Sequence, residues 1–66
     1  MNETFGQRLK RIRKEKKLTQ IALAKKLGIA NDHISKYEHD KHVPNVVVLE
    51  WLCIALGVTA TELLGF

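Results

Sequence analysis

Between Phe5 and Leu64 the apolar residues recur at three- and four-residue spacings, in short runs broken by Thr, Gly and Pro, and nowhere alternate with period two. That pattern admits helices and gives no support to a sheet. Phe5, Leu9 and Ile12 fall at i, i+4 and i+7 and form the buried face of a first helix from about Thr4 to Lys16. Thr19 is a natural N-cap for a second, Gln20 to Leu27, with Leu23, Ala24 and Leu27 inside and Gly28 closing it. A third spans Asn31 to His39 with Ala30, Ile34 and Tyr37 turned inward, and is followed by Asp40, a residue that tolerates left-handed backbone. Pro44 and Asn45 punctuate the start of a fourth, Val46 to Leu56, which Gly57 ends. Thr59 and Glu62 make a T-x-x-E capping box that opens a last short helix carrying Leu63 and Leu64. Val46, Val47 and Val48 are β-branched, but their run continues unbroken to Leu56, too long for a strand. The expectation is an all-α chain of five short helices forming one domain over residues 1–66.

A chain of 66 residues buries only about 60% of the surface its unfolded form exposes, so its core is small. A single cysteine, Cys53, makes no internal disulfide and suits a reducing, cytoplasmic setting, where it reads as a small hydrophobe rather than a redox switch. The polar, charged amino terminus does not read as a signal peptide. The longest apolar stretch, Val46 to Val58, is shorter than the ~20 residues of a membrane span and is interrupted by Glu50. No nucleophile–base set or carboxylate pair offers a catalytic site, so an enzyme is not expected. His39, Asp40 and His42 share one loop, but without a second ligand pair they do not read as a metal site, and no cofactor or small-molecule substrate is implied.

The distribution of charge says more than the net +4. Residues 1–20 carry seven Lys or Arg against two Glu, residues 21–44 four against three acids, and residues 45–66 only Glu50 and Glu62. One end is strongly cationic and the other apolar and slightly acidic. A polyanionic partner for the first half follows from that asymmetry.

The segment from Thr19 to Glu38 places two short helices around a glycine-containing turn, which is the helix-turn-helix pattern. Ala24 allows the two to approach closely, Ile29 tucks from the turn toward the core, and Ile34 anchors the second. At 100° per residue Asp32, Ser35, Lys36 and His39 share the outward face of that second helix, with Asn31 at its leading end. Asn pairs with adenine, Lys with guanine, and a carboxylate accepts from cytosine, so this face carries the groups that read base edges.

The segments R-L-K-R-I-R-K-E-K-K-L-T-Q, L-A-K-K-L-G-I, I-S-K-Y-E and A-L-G-V-T-A-T-E-L-L, with Pro44 between the last two, resemble the Cro/lambda-repressor-like (XRE-type) helix-turn-helix family. The resemblance covers essentially the whole chain. It implies a compact five-helix lambda-repressor-like DNA-binding domain, with the helix-turn-helix at helices 2 and 3, in a cytoplasmic bacterial or phage-encoded protein. It implies that Gln20 holds a phosphate, that Ala30, Asn31, Asp32 and Lys36 occupy base-reading positions, and that Lys41 lies in a loop contacting the DNA backbone. Arg13 and Glu38 match a pair that ties helix 1 to helix 3. Thr19, Arg11 and His39 join the expected backbone contacts, and Ser35 the base readers; among the other helix 1 cations, Arg8 and Lys14 are the alternatives to Arg11. In three places the sequence departs from the family pattern: Ala30 stands where a Ser or Thr cap is common, which turns Asn31 into a possible cap, Asp32 brings a negative charge to a phosphate-rich groove, and Asp40 replaces a glycine.

Ten of the eleven residues from Val46 to Leu56 are apolar. A helix apolar all round is ordinarily buried all round, which a domain this small cannot achieve alone. By the family pattern Leu49, Leu52, Cys53 and Leu56 face the core. Val47, Trp51 and Ile54 recur at i, i+4 and i+7 on the other side and, with Phe66 beside them, are expected to form a two-fold homodimer interface. The leading expectation is a sequence-specific repressor of transcription, binding double-stranded DNA at a pseudo-palindromic operator. The competing one is a helical adaptor or antitoxin-type module that uses the apolar stripe to hold a protein. Ile21, apolar at a site where a polar residue is usual, has no role in either.

Overall fold

The computed structural model describes residues 2–66. It contains α1 (Phe5–Glu15), α2 (Gln20–Leu27), α3 (Asn31–Glu38), α4 (Val46–Leu56) and α5 (Ala60–Leu64), and no strand among the described residues. Local chemistry sets the boundaries. Thr4, Thr19, Asn45 and Thr59 each accept a backbone N–H of the first turn that follows, from Gln7, Ala22, Val48 and Glu62 respectively. Gln7 and Glu62 reach back to close capping boxes at the first and last helix. Gly28 and Gly57 adopt φ of 70° and 68°, which lets Ile29 and Val58 turn back to bond Ala24 and Cys53 carbonyls and pack against the core.

The first and third helices are each slightly shorter than the sequence suggests, because Thr4, Lys16 and His39 are caps rather than helical residues. Ala30 requires a correction. It is exposed, not turned inward, and is itself the N-cap of α3 with no side-chain hydrogen bond. Asn31 is therefore the first helical residue and its amide is not consumed in capping.

α1 packs on α3 and α5, α2 on α3 and α4, and α4 on α5. Every helix contributes to one core: Leu9 and Ile12, Leu23 and Ala24, Ile34, Leu52 and Leu56, and Leu63. The molecule measures 30 × 23 × 23 Å. Among the described residues no helix is long and apolar enough to cross a membrane.

Two backbone positions complete the frame. Asp40 takes φ of 57°, an expensive conformation for an L-residue. Its carboxylate compensates by accepting from the Thr4 hydroxyl at 2.6 Å and the Gly6 amide at 2.9 Å. These hydrogen bonds, the Thr4 hydroxyl foremost, hold its carboxyl below the usual carboxylate range. The start of α1 is thus tied to the end of α3, and Gly6 makes the approach possible. A Cβ there would stand 2.5 Å from the Glu38 carbonyl oxygen and 2.6 Å from that of Tyr37. Backbone atoms cannot swing aside as side chains do. Gly6→Ala is expected to cost about 1–3 kcal/mol, measured by urea unfolding. An unchanged midpoint would mean that the α1–α3 contact is looser than described.

Candidate nucleic-acid interface

The outward face of α3 is a property of its period. With Ile34 fully buried and Glu38 one turn later also buried, Asp32, Ser35, Lys36 and His39 emerge on the other side. Together with Lys41 they line a shallow depression of 260 Å³. Lys36 Nζ lies 3.6 Å from Asp32 Oδ2, one helical turn away. Asn31 is exposed at the leading end and, among the described residues, its side chain makes no hydrogen bond. The ring of His39 sits with Nδ1 2.8 Å from the Ser35 carbonyl oxygen. A carbonyl only accepts, so Nδ1 carries the proton and Nε2 is the atom left for a partner.

What aims this face is a buried polar cluster beneath it. Arg13 Nε and Nη2 donate to the two carboxylate oxygens of Glu38 at 2.5 and 3.0 Å. The third guanidinium donor reaches the Leu18 carbonyl at 2.7 Å. Gln20 donates its amide to Glu38 Oε1 at 3.0 Å, an orientation fixed by the chemistry, since a carboxylate can only accept. The side chains of Arg13 and Glu38 retain 7% and 1% of their exposure, and no buried side-chain polar atom among the described residues lacks a partner. Three segments therefore meet at one carboxylate, α1, the start of α2 and the end of α3, and the turn after α1 joins them through the guanidinium.

The remaining sites expected from sequence divide into those near this face and those away from it. Thr19 accepts from the Ala22 amide as a cap, and Gln20 follows it on the first turn of α2. Lys41 is exposed after α3 and makes no ion pair among the described residues. Arg11 is held elsewhere. It bonds Glu3 at 2.8 Å and Glu15 at 3.2 Å, and lines a depression with Val58 and Glu62 on the α5 side of α1. Arg8 is likewise occupied, donating to the Leu64 and Glu3 carbonyls. Lys14 is exposed without such partners among the described residues. So, by helical geometry, is Lys10, which lies 40° from Gly6 around α1 on the side toward α3. Nothing in the spacing alone separates Lys10 and Lys14 from Arg8 and Arg11. What separates them is Glu3, which folds back across the helix.

On α4, Val47, Trp51 and Ile54 are 51%, 45% and 79% exposed, while Leu52 and Leu56 of the same helix are buried and Leu49 and Cys53 half-buried. Ile54 forms a ridge between two grooves. One, of 410 Å³, is lined by Lys26, Leu27, Trp51 and Ala55. The other, of 540 Å³, lies between α4 and α5 against Leu49, Cys53 and Leu63. Phe66 lines neither; it follows Gly65, which sits against Arg8 of α1. Burial and the carboxylates of Glu50 and Glu62 push the Cys53 thiol up, away from the reactive thiolate form.

A family profile described as a helix-turn-helix domain matches residues 6–65. Over 62 residues the chain is 40% identical to the immunity repressor protein of Bacillus phage phi105, covering 94% of this chain but only 43% of that protein. It is 35% identical to an uncharacterized HTH-type transcriptional regulator of Sinorhizobium fredii, covering 96% of this chain and 82% of the other. In three dimensions it is similar to the restriction-modification controller protein C.AhdI from Aeromonas hydrophila, with a TM-score of 0.87, 32% identity and 91% of each chain covered.

The ion pair at the base of α3 generates a sharp contrast. Glu38→Ala leaves the Arg13 charge buried and alone, and is expected to destabilise the fold by about 3–5 kcal/mol. Glu15→Ala, which breaks the exposed pair with Arg11, is expected to change stability by under about 1 kcal/mol. Denaturant midpoints of the two variants report the difference, and equal shifts would contradict it.

Proposed function

Because the chain belongs to the Cro/lambda-repressor-like (XRE-type) helix-turn-helix family of DNA-binding transcription regulators, we propose that it acts as a repressor, binding a pseudo-palindromic operator as a homodimer with α3 in the major groove. The observation that carries this reading is the polar face of α3, with Asn31 unencumbered at its leading end and unpaired cations around it. An eight-residue helix is about 12 Å long, which matches the width of the major groove. In that pose Asn31, Asp32, Ser35 and Lys36 meet base edges.

Phosphates are held from both sides. Thr19 and Gln20 present the start of α2, where backbone amides and the helix dipole favour an anion. Lys41 approaches from the far end of α3, with His39 beside it able to donate from Nε2 to a phosphate only as the doubly protonated ring, and Lys10 and Lys14 flank them from α1. Arg11 is better occupied by its two glutamates. These contacts supply most of the affinity, which falls steeply as salt rises.

The dimer follows from the exposed apolar ridge of α4. Val47, Trp51 and Ile54 make a patch that a soluble monomer rarely leaves uncovered, and it lies on the part of the chain without basic residues, clear of DNA. A two-fold axis through it would set two copies of α3 on half-sites about 34–36 Å apart along one face of the duplex. One relative supports repression: a phage protein 40% identical carries the name immunity repressor.

Two measurements test this. Asn31→Ala and Lys36→Ala are expected to keep the fold and weaken operator preference by about 10-fold or more each, within the range for losing a base contact. Operator footprints as tight as those of the unaltered protein in both variants would refute the assignment. Sedimentation at micromolar concentration is expected to give a dimer, and a monomer for Trp51→Glu. A monomeric unaltered protein would transfer the ridge to a different partner and favour the adaptor reading.

A further inference from the structure

We propose that Asp32 and Lys36 read DNA as one unit, a donor and an acceptor held side by side, which selects a G·C base pair and suppresses binding to unmatched DNA. This rests on α3 entering the major groove as inferred above, and adds to it which base pair the centre of the face accepts.

The starting point is the spacing of the two charges. At 3.6 Å they neutralise one another without a saturated hydrogen bond, so both keep capacity for a base edge. The side chains of Lys36 and Asp32 are 44% and 65% exposed on the outward side of α3. Around them the shallow depression carries His39 and Lys41, neither of which is in an ion pair among the described residues. The face thus has a neutral centre with the Lys41 cation on its rim.

That division separates two kinds of binding. A lone Lys36 would be drawn to any phosphate, whatever the sequence. Paired with Asp32, it contributes little to such contacts, because the carboxylate is repelled by the backbone that attracts the ammonium. The pair gains only where an edge offers matching groups. The major-groove edge of a G·C pair presents two neighbouring acceptors, guanine N7 and O6, and then the cytosine N4 donor. The ammonium can bridge the two acceptors while the carboxylate takes the donor. An A·T pair presents acceptor, donor, acceptor and then a methyl group, which faces the ammonium with a donor and the carboxylate with an acceptor or a hydrocarbon.

The test is a selection of bound sequences from random duplex DNA with the unaltered protein, Asp32→Ala, Asp32→Asn, Lys36→Ala and the Asp32→Ala/Lys36→Ala double variant. Affinity for random-sequence DNA is measured alongside across a range of salt. Asp32 is exposed in the first turn of α3, and circular dichroism checks that each variant folds. The unaltered protein should enrich G·C at one position of each half-site. Asp32→Ala should lose that preference, bind random DNA several-fold more tightly, and steepen the salt slope by about one phosphate contact. Asp32→Asn should move the preference toward A·T, since Asn pairs with adenine. Lys36→Ala should bind the operator more weakly than the double variant, because without the ammonium the repulsion between the carboxylate and the phosphates outweighs its one cytosine contact. Asp32→Ala selecting the same base with unchanged affinity for random DNA, or additive effects in the cycle, overturns the paired reading alone. An unaltered protein that enriches no sequence overturns it together with the major-groove reading.

Discussion

The fold turns on a buried charge pair, around which no buried side-chain polar atom among the described residues lacks a hydrogen-bond partner. Glu38 accepts from Arg13 twice and from Gln20 once, and Arg13 spends its remaining contact on the Leu18 carbonyl. A buried ion pair of this kind contributes little net stability compared with an apolar replacement, but becomes costly when half of it is removed. Its value lies in geometry. Apolar packing between α2 and α3 tolerates small rotations, whereas a bidentate guanidinium–carboxylate pair tolerates few. The angle at which α3 presents its outer face is thus set from beneath by α1 and the start of α2.

A second tie, from Asp40 to Thr4 and Gly6, holds the same end of that helix. α3 is pinned at its carboxy-terminal end by two independent polar contacts to α1, while its amino-terminal end is left open. Ala30 caps it without a side-chain bond and Asn31 is unencumbered. The end of the helix that would meet bases first is the end with the fewest internal obligations, an arrangement suited to a reading head on a rigid mount. α4 divides its apolar residues between the core and an exposed ridge of Val47, Trp51 and Ile54.

Helix boundaries were legible in the sequence because they are written locally. Thr19, Asn45 and Thr59 act within three residues of themselves, and Gly28 and Gly57 supply a conformation other residues avoid, whereas Thr4, which caps in the same way, reads as part of its helix. The outward face of α3 was legible for the same reason, since a helical period needs no knowledge of the rest of the fold. What escaped depends on contacts distant in sequence. Nothing near Gly6 shows that it must lie against a carbonyl 32 residues away at Glu38, and nothing near Asp40 shows that its left-handed backbone is compensated by Thr4. The choice among the α1 cations needed the path of Glu3. Lys17, with φ of 60°, occupies a turn position where glycine is the ordinary signal. Ala30 escapes the helical period because the backbone is already extended there, one residue before α3 begins.

The central claim is that two copies of α3 enter successive major grooves on one side of a duplex, and it is open to direct measurement. Methylation interference on an operator isolated by selection distinguishes guanine N7, in the major groove, from adenine N3, in the minor groove. The account predicts interference at guanine N7 in two patches about one helical turn apart, with adenine N3 methylation tolerated at the same positions. Interference confined to adenine N3, or a single patch with no two-fold partner, would contradict it.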